Sequence, residues 1–226
     1  MNPAKTVSAA VLSRHTCRAF SDRPVEMAVV RRLLDTARFA PSGGNLQPWI
    51  VHVLSGESMA RFRAAMAPRI QQAPLGGHAE YNVYPPSLKE PYRTRRFKVG
   101  EDMYALIGIT RDNRPARVGQ FARNYDFFGA PVGMFLFLDR SMGPPQWSDA
   151  GMFLQSLMLL ARECGLETCA QEAWAAWHSE VSEFLGVGTE LMLFCGLAIG
   201  YGDDSAPINR LRSDRVPLED FARFHS

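Results

Sequence analysis

The stretch Ala40-Pro41-Ser42-Gly43-Gly44-Asn45-Leu46-Gln47-Pro48-Trp49 divides a helical pattern from a strand pattern. Upstream, over residues 25–40 and behind Pro24, Val29, Val30, Leu33, Leu34, Ala37 and Ala40 recur at helical spacing. Downstream, Ile50-Val51-His52-Val53-Leu54 is a short apolar run that reads as a strand. The proline and the paired glycines between them stop the helix and leave backbone N–H groups free. Asn45 and Gln47 add side-chain amides, donors and acceptors together, so the loop could grip a flat heterocycle by its edge. On pattern alone, a plain helix stop explains the same residues.

Some 25 residues earlier stands Ser13-Arg14-His15-Thr16-Cys17-Arg18-Ala19-Phe20. If residues 13–18 were helical, Arg14 and Arg18 would share one face. Guanidinium forks match phosphate oxygens, and a hydroxyl between two of them completes a phosphate-binding set. A pair of solvent-facing arginines is the alternative that the spacing leaves open.

The chain has 226 residues, enough for one domain with a substantial core. Helical patterns are read at residues 7–14, 56–71, 101–109, 115–128 and 147–164. Apolar strand runs are read at 131–138 and 191–201. Strands alternating with helices indicate an α+β or α/β sandwich. The 147–164 helix is apolar nearly all round, with Met152, Phe153, Leu154, Leu157, Met158, Leu159 and Leu160. It is expected to be buried on every side, and a second copy of the chain is a natural cover. Residues 73–100 carry Pro74, Gly76, Gly77, Pro85, Pro86 and Pro91 and are expected to lack regular structure, as a lid or a disordered loop. Tyr81, Tyr84 and Tyr92 there interleave with Arg93, Arg95 and Arg96. The polar tail, residues 205–226, either wraps a partner subunit or docks loosely.

The net charge of +2 gives no strong pull toward nucleic acid or a membrane. The longest apolar runs are far shorter than a membrane span. Cys17, Cys164, Cys169 and Cys195 form no C-x-x-C pair and no zinc spacing with the histidines, so no metal is expected. Scattered cysteines, and residues 1–16 without an apolar leader, fit a cytoplasmic protein. Ser42 is outside any G-x-S-x-G, and no G-x-G-x-x-G follows a strand. A hydrolase nucleophile and a dinucleotide-binding fold are both unsupported.

The two N-terminal segments, in this order, resemble the signature of the FMN-dependent nitroreductase family. The likeness resumes at Gly151–Ala161 and Gly165-Leu166-Glu167-Thr168. It continues at Leu197–Tyr201 and closes at Arg215-Val216-Pro217-Leu218-Glu219-Asp220-Phe221. It implies the α+β alternative, a mostly antiparallel sheet flanked by helices in an intertwined homodimer. It also implies one nitroreductase-like domain over residues 1–226, with a lid excursion at about 73–128 and a C-terminal extension at about 203–226.

By the same resemblance, Arg14, His15, Thr16, Arg18, Arg215 and Arg212 would hold the FMN phosphate and ribityl chain. Pro41, Ser42, Gly43, Asn45 and Gln47 would pack on a flavin held mainly by the other subunit. A turn near Gln171, Glu172 or Ala173 would offer a backbone N–H to the ring. Tyr81, Tyr84, Arg93, Phe127 and Phe128 are the expected substrate contacts, and no side chain is assigned a catalytic role. The implied activity is ping-pong reduction of nitroaromatics, quinones or similar electron-poor aromatics by NAD(P)H. A reductive dehalogenase, to which Glu80 and Tyr84 invite comparison, a flavin-consuming enzyme and a non-enzymatic flavin-binding module are the alternatives. Cys169 is expected to be a buried small residue rather than a reactive thiol.

Overall fold

Four strands, three of them apolar runs, pair edge to edge in the order β1-β2-β4-β3, every pairing antiparallel. They are β1 (Ile50–Ser55), β2 (Val132–Asp139), β3 (Glu167–Gln171) and β4 (Leu191–Gly200). The computed structural model describes residues 2–225. The inner strand β2 is buried on both faces, because its side chains alternate between two cores. Met134, Leu136 and Leu138 face a layer made by α2 (Met27–Ala37) and α6 (Pro144–Glu163). Phe135 and Phe137 face the opposite layer, with Phe62 of α3 (Gly56–Gln72) and Val181 of α7 (His178–Leu185). Helices thus cover both faces of an antiparallel sheet, the expected α+β architecture.

In the second core Trp174 is fully buried among Phe62, Tyr125, Phe127 and Phe135, with ring centroids 5.0–5.4 Å away. Gly196 on β4 lets the indole lie against the strand, since an added Cβ would stand 2.8 Å from Trp174 Nε1.

α6 is buried along one side within the single chain. Ala150, Phe153, Leu154, Leu157 and Ala161 are buried, but Gly151, Met152 and Gln155 are exposed on the single chain. Arg162, in its last turn, lies in the interior (1% exposed).

The region after α3 departs from the sequence expectation. Residues 73–91 hold neither helix nor strand, but α4 (Tyr92–Leu106) begins nine residues before the helix read from pattern. Pro91 sits at its N-cap, where a proline costs a helix nothing. α4 buries none of its residues, so no apolar stripe marks it. α5 (Arg114–Ala122) ends before Phe127 and Phe128, which have φ of 51° and 54°. That left-handed backbone, unusual for aromatic residues, accompanies rings that are buried to 0% and 2% exposure.

Candidate cofactor site

Arg14 closes α1 (Val7–Ser13) as its C-cap, and the chain then runs extended beside β3. Thr16 forms a parallel bridge with Thr168, and the Cys17 amide donates to Thr168 O at 3.0 Å. The common helical face expected for Arg14 and Arg18 is therefore replaced by the period-two face of an extended segment. The two arginines nevertheless line the same cavity. Arg14, His15, Thr16 and Arg18 line one cavity of about 580 Å³, and Arg212 and Arg215 line it from the C-terminal extension. Cys17 points into the core, where burial pushes its thiol up to about 12.

Asn209 ties the two ends of the chain together. Its Oδ1 accepts from the Arg18 amide at 2.8 Å, and its Nδ2 donates to the carbonyls of Ala19 (2.7 Å) and Asp203 (3.0 Å). Arg212 in turn donates to Asn209 O at 2.9 Å. Nothing in Pro207-Ile208-Asn209-Arg210 marks this role in the sequence. The start of the extension is firmly docked on its own chain, whereas Leu218, Phe221 and Phe224 are exposed.

A buried polar network backs the cavity. Arg162 Nη1 donates to Glu167 Oε1 at 2.8 Å and to Leu166 O at 3.2 Å. Its Nη2 and Nε reach Asn2 O (3.1 Å) and Ser13 Oγ (3.3 Å). Burial pushes the Glu167 carboxyl up to about 7 against the pull of Arg162. His15 Nδ1 stands 3.6 Å from Glu167 Oε2. Burial, aided by the Arg212 charge, lowers its imidazole to about 4, so it is neutral at pH 7. His15 Nε2 is buried without a hydrogen-bond partner.

Arg18 also lines a second cavity of about 430 Å³, with Tyr84, Phe128, Gln171, Glu172 and Ala173. Gln171 ends β3 and donates from Nε2 to Asn124 O at 2.7 Å. Gln171 Oε1 and Gln120 Nε2, both on this cavity, are buried without partners. Four unneutralised polar features therefore converge: a cluster of arginines, an unpartnered imidazole nitrogen, and an unpartnered acceptor and donor beside aromatic walls. Native proteins rarely leave buried polar atoms unmatched. An anion in the first cavity joined to a flat polar ring in the second would match them, which is the shape and charge of FMN.

Other expected site residues lie elsewhere. Pro41, Ser42, Gly43, Asn45 and Gln47 line neither cavity. Their loop is pinned to α6 instead: the Gly43 amide donates to the Asp149 carboxylate at 3.2 Å, and Trp49 stacks on Phe153 at 4.9 Å. Gly44, Asn45 and Gln47 all have positive φ, a costly backbone that persists where surroundings fix it. Tyr81 is packed against Trp147 and Phe194, and its hydroxyl donates to Phe194 O. Phe127 is a core residue with no surface to offer a ligand. Arg93 is exposed and paired with Glu90 at 2.7 Å. Glu80 is paired with Arg140 and with His178 (3.3 Å), which engages the carboxylate that the dehalogenase comparison needs. Cys169 is buried, as expected, and its thiol is pushed up to about 12. Among the described residues there is no cluster suited to a metal ion, and no helix is long and apolar enough to cross a membrane.

A sequence model of the Nitroreductase family matches residues 11–201, which includes Arg14 to Arg18 and most of both cavities. The chain belongs to the Nitroreductase family. Over 216 residues it is 37% identical to the 4-nitrobenzoate reductase of Pseudomonas putida, covering 96% of this chain and 94% of that one. The structure of an FMN and NADPH-dependent nitroreductase, NfnB from Sphigopyxis sp. strain HMH, superposes with a TM-score of 0.94. It is 47% identical, over 98% of this chain and 99% of that one. FMN-dependent NfnB from Mycobacterium smegmatis, solved in complex with NADPH, gives a TM-score of 0.91 at 28% identity, with 97% of each chain covered. The nitroreductase fold is thus matched along nearly the whole chain.

Proposed function

We propose that this nitroreductase-family chain is an FMN-dependent enzyme that oxidises NADPH or NADH and reduces nitroaromatic or similar electron-poor aromatic compounds. The observation that carries the proposal is the pair of cavities joined at Arg18, one cationic and one aromatic, each with buried polar atoms awaiting a partner. Arg14, Arg18, Arg212 and Arg215 would hold the phosphate monoester by charge-assisted hydrogen bonds. His15 Nε2 would gain a partner there. Gln120 and Gln171 would meet the polar edge of the ring, and Tyr84 and Phe128 would limit the space above it. FMN, when bound, supplies reversible two-electron chemistry that no side chain of this chain can provide.

Relatives that are a 4-nitrobenzoate reductase and a nitrobenzene nitroreductase support the acceptor class. The loop at residues 41–47 lies off both cavities, and Phe39, Leu46, Ile50 and Met152 leave apolar surface exposed around it. Both facts support a homodimer in which this loop serves the partner's site, and the exposed face of α6 is then the covered one.

No separate dinucleotide-binding fold is present among the described residues, so donor and acceptor would occupy the same space in turn. Initial rates at several acceptor concentrations test that reading. Parallel double-reciprocal lines are expected, and intersecting lines would mean that both reactants are bound together. Absence of NADPH and NADH oxidation with every acceptor would instead leave a flavin-binding module without activity.

A further inference from the structure

We propose that the cavity between α4 and residues 213–216 accepts the 2′-phosphate of the dinucleotide donor, so that this chain selects NADPH over NADH. The inference rests on the proposed donor reaction and deepens it. The cavity, about 460 Å³, is lined by the cations Arg95, Arg96, Lys98 and Arg215 and the carboxylates Asp102 and Asp214. Arg215 also lines the phosphate cavity and is engaged when FMN is bound; the three cations of α4 and the two carboxylates leave a local charge of +1.

The cations differ in how they are neutralised. Lys98 Nζ is paired with Asp102 Oδ2 (2.6 Å) and Asp214 Oδ2 (2.9 Å). Elsewhere on α4 and on α5, Arg93 is paired with Glu90 and Arg117 with Glu101. Among the described residues, Arg95 and Arg96 have no carboxylate partner. The Arg96 guanidinium lies 4.0 Å from the Tyr84 ring centroid, and that of Arg95 5.9 Å from Tyr92. Arg215 donates only to neutral oxygens of Ser213 and to Asp214 O. Guanidinium forks left on neutral partners are suited to a dianion with paired oxygens. The ribose hydroxyl of NADH offers them nothing comparable.

The position of the cavity is also suitable. Tyr84 and Arg96 are common to it and to the aromatic cavity. Val99, Ser213 and Arg215 are common to it and to the phosphate cavity. A donor with its nicotinamide in the aromatic cavity can therefore carry its far end past the Tyr84–Arg96 pair into cationic surroundings. With FMN bound, its own phosphate occupies the Arg14 and Arg18 cluster, so the α4 cations remain for a second phosphate.

The test uses FMN-loaded protein and the variant Arg95→Gln, whose residue lines only this cavity. The wild type is expected to use NADPH with a kcat/KM at least about 10-fold above that for NADH, the worth of one charge-assisted hydrogen bond. Arg95→Gln should lose most of that preference through a higher KM for NADPH, with NADH kinetics unchanged. Calorimetry gives a readout apart from turnover: 2′,5′-ADP should bind the wild type about 10-fold more tightly than 5′-AMP, and Arg95→Gln should erase the difference. An unchanged NADPH-to-NADH ratio in the variant, or equal binding of the two nucleotides to the wild type, would overturn the proposal. If neither donor is oxidised but 2′,5′-ADP is still preferred, the donor reaction fails while the phosphate subsite stands.

Discussion

Replacing Arg162 by methionine removes the cation from beneath the phosphate cavity and leaves most of the volume filled. Arg162 and Glu167 are each about 2% exposed and bonded at 2.8 Å. Breaking a buried pair from one side costs about 3–5 kcal/mol where the remaining group stays charged and desolvated, here at alkaline pH. For a domain of this size that corresponds to a fall in Tm of roughly 6–20 °C. The loss depends on pH in a defined sense. The Glu167 carboxyl is already raised by burial to about 7, and removing Arg162 raises it further. A carboxyl with a raised folded value favours the fold below its unfolded value, near 4.5, and loses that contribution as pH rises through the folded one. Arg162→Met should therefore be more destabilised at pH 8 than at pH 6. Adding Glu167→Gln should recover part of the loss, since no buried charge then remains. The assay is thermal or urea unfolding at fixed protein concentration with FMN stripped, because bound cofactor stabilises by mass action. A single variant within about 1 kcal/mol of wild type, or a double variant less stable than the single one, would refute the reasoning.

Three further outcomes are expected. Arg18→Ala, which removes the guanidinium common to both cavities, should weaken FMN binding about 10- to 100-fold at one charge-assisted hydrogen bond, read by fluorescence titration; unchanged affinity would remove Arg18 from the site. His15 is lowered to about 4, so it contributes stability that is present above about 6.5 and lost as pH falls through 4. His15→Gln should flatten the acid limb of the FMN-free stability profile between those values, and an unaltered limb would contradict the assignment. Gly196→Ala pushes a methyl against Trp174 in a core with no slack. It should destabilise by about 1–3 kcal/mol, the usual cost of overpacking, measured by urea unfolding.

What could be read from the chain follows from how local each feature is. The Arg14–Arg18 segment and the 40–49 loop were legible because arginine, proline and glycine carry their chemistry within a few residues. β1, β2 and β4 were legible as apolar runs. β3 was missed, since Glu167 and Gln171 are polar residues at buried positions, and their partners Arg162 and Asn124 come from other elements. α4 was read short because it packs no apolar face, and its proline is an N-cap rather than a break. Phe127 was read as a substrate contact because left-handed backbone that turns a ring inward has no pattern in sequence; its neighbour Phe128 does line the second cavity. The role of Asn209 rests on bonds to residues about 190 positions away, which no local pattern encodes.

On the proposal above, the joined cavities hold FMN, which takes electrons from a pyridine nucleotide. The most direct measurement is the visible spectrum of the purified protein loaded with FMN, recorded without oxygen as NADPH and then 4-nitrobenzoate are added. A yellow protein that bleaches with NADPH and regains its colour with the nitro compound is expected, and Arg14→Ala should retain little FMN on gel filtration. A protein that cannot be loaded with FMN would contradict the account at its base, and a yellow protein that NADPH does not bleach would contradict the proposed activity.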